Sequence, residues 1–329
     1  MNEMKKIRVK IPASTANLGP GFDTIGMALD LYTWIEMSFS EKTKIHLYGE
    51  NLKGVAEDKN NLIYQVAQRV LLKAGVKQPN LEISIYSDIP LTRGLGSSAS
   101  AIVGALIAAN ALIDNPLSDD ELFQMATTIE NHPDNVGASL FGGLIVSNWN
   151  GIRAEYIRIE PNPQLEILTV IPEFELATQK SRDILPDQIP FPDAVYNVSH
   201  SSLLVAALCT GKLELIQHAM KDRLHQPYRT TLIPGMKTIL DQAVQHGALG
   251  AALSGAGPTL VVLVDRNSSE KTNLEDFVIS HFKRENIAVK TLWLNPCQKG
   301  AQVIPQQHSF PFHIEKLKEE ASMKGEFKS

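Results

Sequence analysis

The chain has 329 residues, 43% of them apolar and 20% charged, a soluble globular composition. That length exceeds one ordinary core and suits two domains. A net charge of -5, from 31 Lys and Arg against 36 Asp and Glu, argues against an extended nucleic-acid or anionic-membrane surface.

In chain order, Ile7, Val9 and Ile11 alternate with charged residues and predict a half-buried first strand. A turn-rich stretch, Pro12–Asp23, follows it. Leu31, Thr33, Ile35, Met37 and Phe39 keep a period of two and predict a second strand, with Lys44–Tyr48 as a third. Asn60 and Asn61 precede an apolar stripe at Ile63, Val66, Val70 and Ala74, the spacing of an amphipathic helix opened by an Asn cap. Leu81–Ile85 is a strand, Ala99–Ile113 an apolar helix, and Asp119–Thr128 a helix with acidic residues in its first turn. Glu130–Gly143 connects to a strand near Leu144–Ser147. The weakly patterned stretch Asn148–Pro163 places a domain boundary, giving domains at 1–155 and 156–304 and a charged tail at 305–329.

The second half opens with a continuous apolar strand, Leu165–Ile171. Helical patterns then cover Thr178–Leu185, Ala194–Cys209, Leu213–Lys221 and Met236–His246. Apolar runs Ala248–Leu253 and Thr259–Val264 flank SGAGP, and a helix (Thr272–Asn286) and a strand (Ala288–Leu294) close the unit. Strands and helices without strict alternation predict an α+β fold. The longest apolar stretch is too short and too interrupted to span a membrane. Cys209 and Cys297 lie far apart without CxxC spacing. A disulfide framework or zinc site is therefore not expected, and a reducing cytosol fits best.

The loop DIPLTRGLGSSAS sits between a strand and a helix. Glycines there let the backbone approach an anion, and the free N–H groups and dipole of the following helix attract negative charge. Ser97 and Ser98 are candidate helix caps, and one hydroxyl is a candidate magnesium ligand. The loop fails as a Walker A motif, because no Lys-Ser or Lys-Thr follows the second glycine. Gly94, Gly96 and Ala99 formally satisfy a dinucleotide fingerprint. The strand ends too far from Gly94, however, and the helix leads to another helix.

Three segments occur together in the order and spacing of the GHMP small-molecule kinases: PASTANLGPGFDTIGMAL (Pro12–Leu29), PLTRGLGSSASA (Pro90–Ala101) and LSGAGPTL (Leu253–Leu260). The chain resembles the homoserine kinase branch of that family up to about Asn295. The resemblance implies a two-domain fold: an N-terminal ribosomal-protein-like β-α-β domain with a left-handed crossover, and a C-terminal ferredoxin-like domain. It also implies ATP phosphates on the loop Pro90, Leu91, Thr92, Arg93, Gly94, Leu95, Gly96, Ser97, Ser98, Ala99 and Ser100. Asn61 is then expected beside the adenine and Ser98 and Glu130 on Mg²⁺, with the Ser254–Pro258 loop buttressing the phosphate loop.

For L-homoserine, the resemblance implies Asn17 and Asp23 as partners of the ammonium group. It implies Arg182 and Arg229 as a carboxylate clamp, Thr178 as a further pocket residue and Asn135 near the reacting hydroxyl. His132 is read as shaping the site rather than as a base, and Asp134 as fixing its loop. Phosphoryl transfer is largely positioning and charge neutralisation, so no dedicated base is required. Competing readings are a kinase for another small alcohol, a dinucleotide-dependent oxidoreductase and a non-catalytic sensor. No nucleic-acid or membrane partner is expected, and Leu-rich helices leave room for a homodimer.

Overall fold

The computed structural model describes residues 5–77 and 79–305, and the charged tail read at 305–329 lies outside them after residue 305. The first half opens with a long antiparallel hairpin of β1 (Lys6–Asn17) and β2 (Gly21–Phe39). Next come β3 (Lys44–Tyr48), α1 (Leu62–Lys73) and β4 (Leu81–Ser87), with β3 and β4 parallel. Then follow α2 (Ser97–Leu112), α3 (Asp119–Glu130), α4 (Asp134–Phe141), β5 (Leu144–Trp149) and β6 (Ala154–Ile159).

The second half contains β7 (Leu165–Pro172), α5 (Thr178–Asp183), α6 (Phe191–Thr210), α7 (Ile216–Ala219), α8 (Gln226–Arg229) and α9 (Met236–Gln242). It closes with β8 (Gly250–Leu253), β9 (Leu260–Asp265), α10 (Lys271–Arg284) and β10 (Val289–Leu294), before β11 (Gln302–Ile304) returns to pair with β1.

These strands form two sheets. The seven-stranded one runs β11-β1-β2-β4-β3, with β5 on β2 and β6 on β5. The four-stranded one runs β10-β7-β9-β8, antiparallel throughout. In chain order that is 4-1-3-2, the ferredoxin-like arrangement. β6 crosses the boundary placed at 155/156, and both it and β11 hydrogen-bond into the first sheet.

The period-two residues Val9, Ile11, Ile35, Met37, Ile83 and Ile85 bury one face of the first sheet against α1 and α2. Asn61 caps α1 by accepting from the amides of Ile63 and Tyr64. Ser118 and Glu121 form a capping box on α3. The continuous apolar run of β7 reflects burial of both its faces. Leu165 and Ile167 join Leu204 and Leu208 of α6 and, from the first hairpin, Ala13, Ile25 and Met27. Leu168 and Val170 instead face Ile239, Val278 and Phe282. One of the cores is thus shared between the two halves, and it lies behind the site.

Four expectations are corrected. Pro12–Asp23 is not mainly turn: β1 continues to Asn17, with Ala13 opposite Leu29 and Thr15 opposite Met27, and only residues 18–20 reverse the chain. Its small side chains carry no alternating apolar signal. Glu130–Gly143 contains α4, seven of whose eight residues are buried, so it shows no amphipathic stripe. Leu213–Lys221 is a 3₁₀ turn and the single turn α7. Met236–His246 changes to 3₁₀ after Gln242.

Candidate active site

A cleft of about 150 Å³ lies where the first hairpin, the Gly-rich loop, α4, α5, α8 and the second glycine loop converge. The three motif segments are knitted directly. The Gly255 amide donates to Ala16 O at 3.1 Å, and Asn17 Nδ2 donates to Gly255 O at 3.0 Å. The Thr259 amide donates to Arg93 O at 3.2 Å. The single Ser254 hydroxyl hydrogen has two acceptors in reach, Gly94 O at 2.5 Å and Thr15 Oγ1 at 2.8 Å. Gly94 has φ +79°, and a Cβ there would lie 2.3 Å from Ser254 O. The buttress expected at Ser254–Pro258 is therefore a set of named hydrogen bonds.

α2 begins without a side-chain cap, because its N-cap is Gly96 in the left-handed region, at φ 69°. A Cβ on Gly96 would meet Ser14 Oγ at 2.0 Å, so no capping side chain fits there. This corrects the reading of Ser97 and Ser98 as caps: both lie inside the first turn and line the cleft. An uncapped helix start directs its amides at whatever anion occupies the cleft. Ser98 Oγ donates to Glu130 Oε2 at 2.9 Å. Burial pushes the Glu130 carboxyl up, against His132 and the Ser98 bond, which favour its charge.

Behind Glu130, Asp134 is almost fully buried. Its Oδ1 receives His132 Nδ1 at 2.6 Å, the Asn135 amide at 2.6 Å and Asn135 Nδ2 at 3.3 Å. Asn135 Oδ1 accepts from Ser14 Oγ at 2.9 Å, which fixes the orientation of the amide. Burial opposes charge on both members of the His132–Asp134 pair, but their mutual attraction outweighs it. Asp134 is held below the usual carboxylate range, and His132, with help from Glu130 and Asp23, rises to about 9. At neutral pH His132 is therefore a cation paired with the Asp134 carboxylate.

On the opposite wall Arg182 grips Asp23 through two bonds, at 2.9 and 3.0 Å. This fork uses two of the five guanidinium N–H donors and leaves three. The Asp23 amide donates to Asn17 Oδ1 at 3.0 Å, and both residues sit at positive φ, 54° and 73°. Arg229 is 1% exposed. Its Nε donates to Ser181 O at 2.9 Å, and Nη1 donates to Gly255 O and to His225 Nδ1, each at 3.1 Å. Burial, then the charge of Arg182, pulls Arg229 down to about 10, so it is still charged at neutral pH. Thr178 opens α5 one turn before Arg182 and also lines the cleft.

Asn17, Asp23, Thr92, Gly94, Gly96, Ser97, Ser98, Glu130, Asn135, Thr178, Arg182 and Arg229 thus share one cleft. Seven expected residues do not line it. Asn61 caps α1 and donates to Ala56 O, Arg93 reaches Glu173 O, Leu95, Ala99 and Ser100 are buried, and Pro90 and Leu91 are half-buried. Sequence reading missed Phe22, over whose ring Arg229 lies at 5.3 Å, and Leu176. It also missed the buried His225, for which no periodicity gives a signal. Among the described residues no group of three His, Cys, Asp or Glu side chains is arranged to hold a metal alone.

Comparison with known proteins agrees with this geometry. The GHMP kinase N-terminal domain matches residues 61–143, and the GHMP kinase C-terminal domain matches residues 204–283. A homoserine kinase of Carboxydothermus hydrogenoformans is 42% identical over 89% of this chain and 95% of its own. One of Moorella thermoacetica is 40% identical over 90% and 99%. The crystal structure of a homoserine kinase from Cytophaga hutchinsonii superposes with a TM-score of 0.83 at 28% identity, covering 92% of this chain and 99% of that one. A mevalonate kinase, at 19% identity and a TM-score of 0.65, shares the fold. With both family domains matched and relatives of 40% identity or more over most of its length, the chain belongs to the GHMP kinases, in the homoserine kinase family.

Proposed function

We propose that this kinase transfers the γ-phosphoryl group of ATP to the side-chain hydroxyl of L-homoserine, giving ADP and O-phospho-L-homoserine on the route to threonine. The observation that carries the reading is the pairing, in one cleft, of an uncapped helix start with two arginines that keep unused donors. The helix start at Gly96–Ser98 receives phosphate oxygens. Arg229 commits Nε and Nη1 to the protein and retains Nη2, and Arg182 retains three donors beside Asp23. An amino-acid zwitterion matches this wall, with its carboxylate on the arginines and its ammonium group on Asp23 and Asn17. Thr178 closes the pocket on the α5 side.

Ser98 and Glu130 suit magnesium: two oxygen donors side by side at the phosphate end, too few to hold an ion without nucleotide and water. Bound there with ATP, magnesium would neutralise charge on the β- and γ-phosphates. The chain's own groups do the rest. The Asn135 amide, oriented by Ser14 and Asp134, holds the acceptor hydroxyl in line. His132, as a cation, adds positive charge to the same wall. With Asp134 depressed and three donors on one of its oxygens, transfer proceeds without a dedicated base, and the hydroxyl proton leaves with the phosphorylated product or to water.

Two free cysteines and the absence, among the described residues, of a helix able to cross a membrane support a cytosolic setting. An ADP-coupled assay across homoserine, threonine, mevalonate and galactose tests the substrate. Turnover should be fastest with homoserine, and activity confined to mevalonate or galactose would overturn the reading.

A further inference from the structure

We infer that His225 is a positioning residue for substrate binding: as a neutral imidazole it fixes which edge of the Arg229 guanidinium faces the cleft. The inference rests on the reading of Arg229 as a carboxylate ligand. His225 is fully buried outside the cleft lining, on the single turn that carries Arg229 itself. Both of its ring nitrogens are engaged. Nδ1 lies 3.1 Å from Arg229 Nη1, and Nε2 lies 2.8 Å from Gly19 O in the turn of the first hairpin. A carbonyl oxygen only accepts and a guanidinium only donates, so the ring must carry its proton on Nε2 and leave Nδ1 bare. Burial, together with the charge of Arg229, lowers the tendency of His225 to protonate, against the pull of Asp222.

The consequence for Arg229 follows by counting donors. The Nε hydrogen goes to Ser181 O, and the two Nη1 hydrogens go to His225 and Gly255 O. With those three hydrogens committed, both Nη2 hydrogens are left for a ligand. Without the His225 acceptor, Nη1 gains a spare hydrogen and the guanidinium loses one of three restraints. The same imidazole also ties this turn to Gly19, four residues before Asp23. It therefore sets the cation of one half against the carboxylate of the other. Asp222 completes the support by accepting from the amides of Leu224, His225 and Gln226, which holds the turn in place.

Two near-isosteric variants separate the two bonds. His225→Asn keeps an acceptor where Nδ1 stands and loses the reach to Gly19. His225→Gln keeps a donor where Nε2 stands and loses the acceptor for Arg229. Steady-state kinetics and thermal melting are measured on both, with wild type alongside. For His225→Gln the KM for homoserine should rise about tenfold, the loss of one hydrogen bond to a charged group, with kcat within about twofold and the KM for ATP unchanged. For His225→Asn the homoserine KM should stay within about threefold of wild type, while the melting temperature falls more than in His225→Gln. An unchanged homoserine KM in His225→Gln, or equal rises in both variants, overturns the positioning role. A wild-type protein without homoserine turnover overturns instead the reading of the cleft on which the role depends.

Discussion

Arg182→Ala separates what Arg182 does for folding from what it does for the substrate. Its bond pair with Asp23 is short and bidentate, but the two side chains are 35% and 33% exposed. A pair open to water to that degree contributes on the order of 0–1 kcal/mol to stability, so the melting temperature should move by only a few degrees. Substrate binding is a different matter. Three donors of the guanidinium remain beyond those given to Asp23, and a charge-assisted bond to a carboxylate is worth roughly 1.5–3 kcal/mol. The variant should therefore lose about 10- to 100-fold in kcat/KM for homoserine. Arg182→Lys, which keeps the charge but not the fork, should recover part of that loss. The KM for ATP, proposed to bind at the Gly96–Ser98 end of the cleft, should stay within about twofold. Coupled ADP release over a homoserine titration, with melting curves on the same samples, makes the measurement. Unchanged homoserine kinetics would remove Arg182 from the substrate site. A collapse in stability would show that the Asp23 pair is chiefly structural.

Other perturbations probe the remaining parts of the cleft. Gly94→Ala places a methyl group against the Ser254 carbonyl at a positive φ and should push the two glycine loops apart. The KM for ATP should rise at least about tenfold, and wild-type nucleotide kinetics would show the contact to be dispensable. Glu130→Gln keeps the shape but not the charge, so it should raise the Mg²⁺ concentration for half-maximal activity by about tenfold, and an unchanged Mg²⁺ dependence would release Glu130 from that role. His225 is held below its unfolded value of 6.5 by burial, so its contribution to stability is present above pH 6.5 and lost as pH falls through the folded value. Urea unfolding should show a steeper loss between pH 6.5 and 5 in wild type than in His225→Gln, and parallel slopes would refute the assignment.

The strands and helices with clear periods were legible in the sequence: β3 from Lys44 to Tyr48, α1 with its Asn61 cap, and β10 within a residue. Parts of the fold that rest on small or wholly buried residues were not. Ala13–Ala16 are small residues held in β1 by pairing with Gly26–Leu29 of β2, and seven of the eight residues of α4 are buried; neither leaves a one-face pattern to read. In the site, twelve of the residues singled out in the sequence line one cleft and seven do not, among them Asn61 and Arg93. The pairing of Arg182 with Asp23 and of Arg229 with His225 required three-dimensional neighbours more than a hundred residues apart, or a buried imidazole of ordinary appearance in sequence. Asn61 shows the converse: its role as a helix cap was readable from local spacing alone.

The central claim is that this cleft joins ATP to the hydroxyl of an amino acid held by Arg182, Arg229 and Asp23. The most direct test is the ³¹P spectrum of the products after incubation with ATP, Mg²⁺ and L-homoserine. ADP and one new phosphomonoester, coupled to the protons of a single methylene group, should form in equal amounts. ADP with inorganic phosphate alone, or an ester that forms only when mevalonate or galactose replaces homoserine, would contradict it.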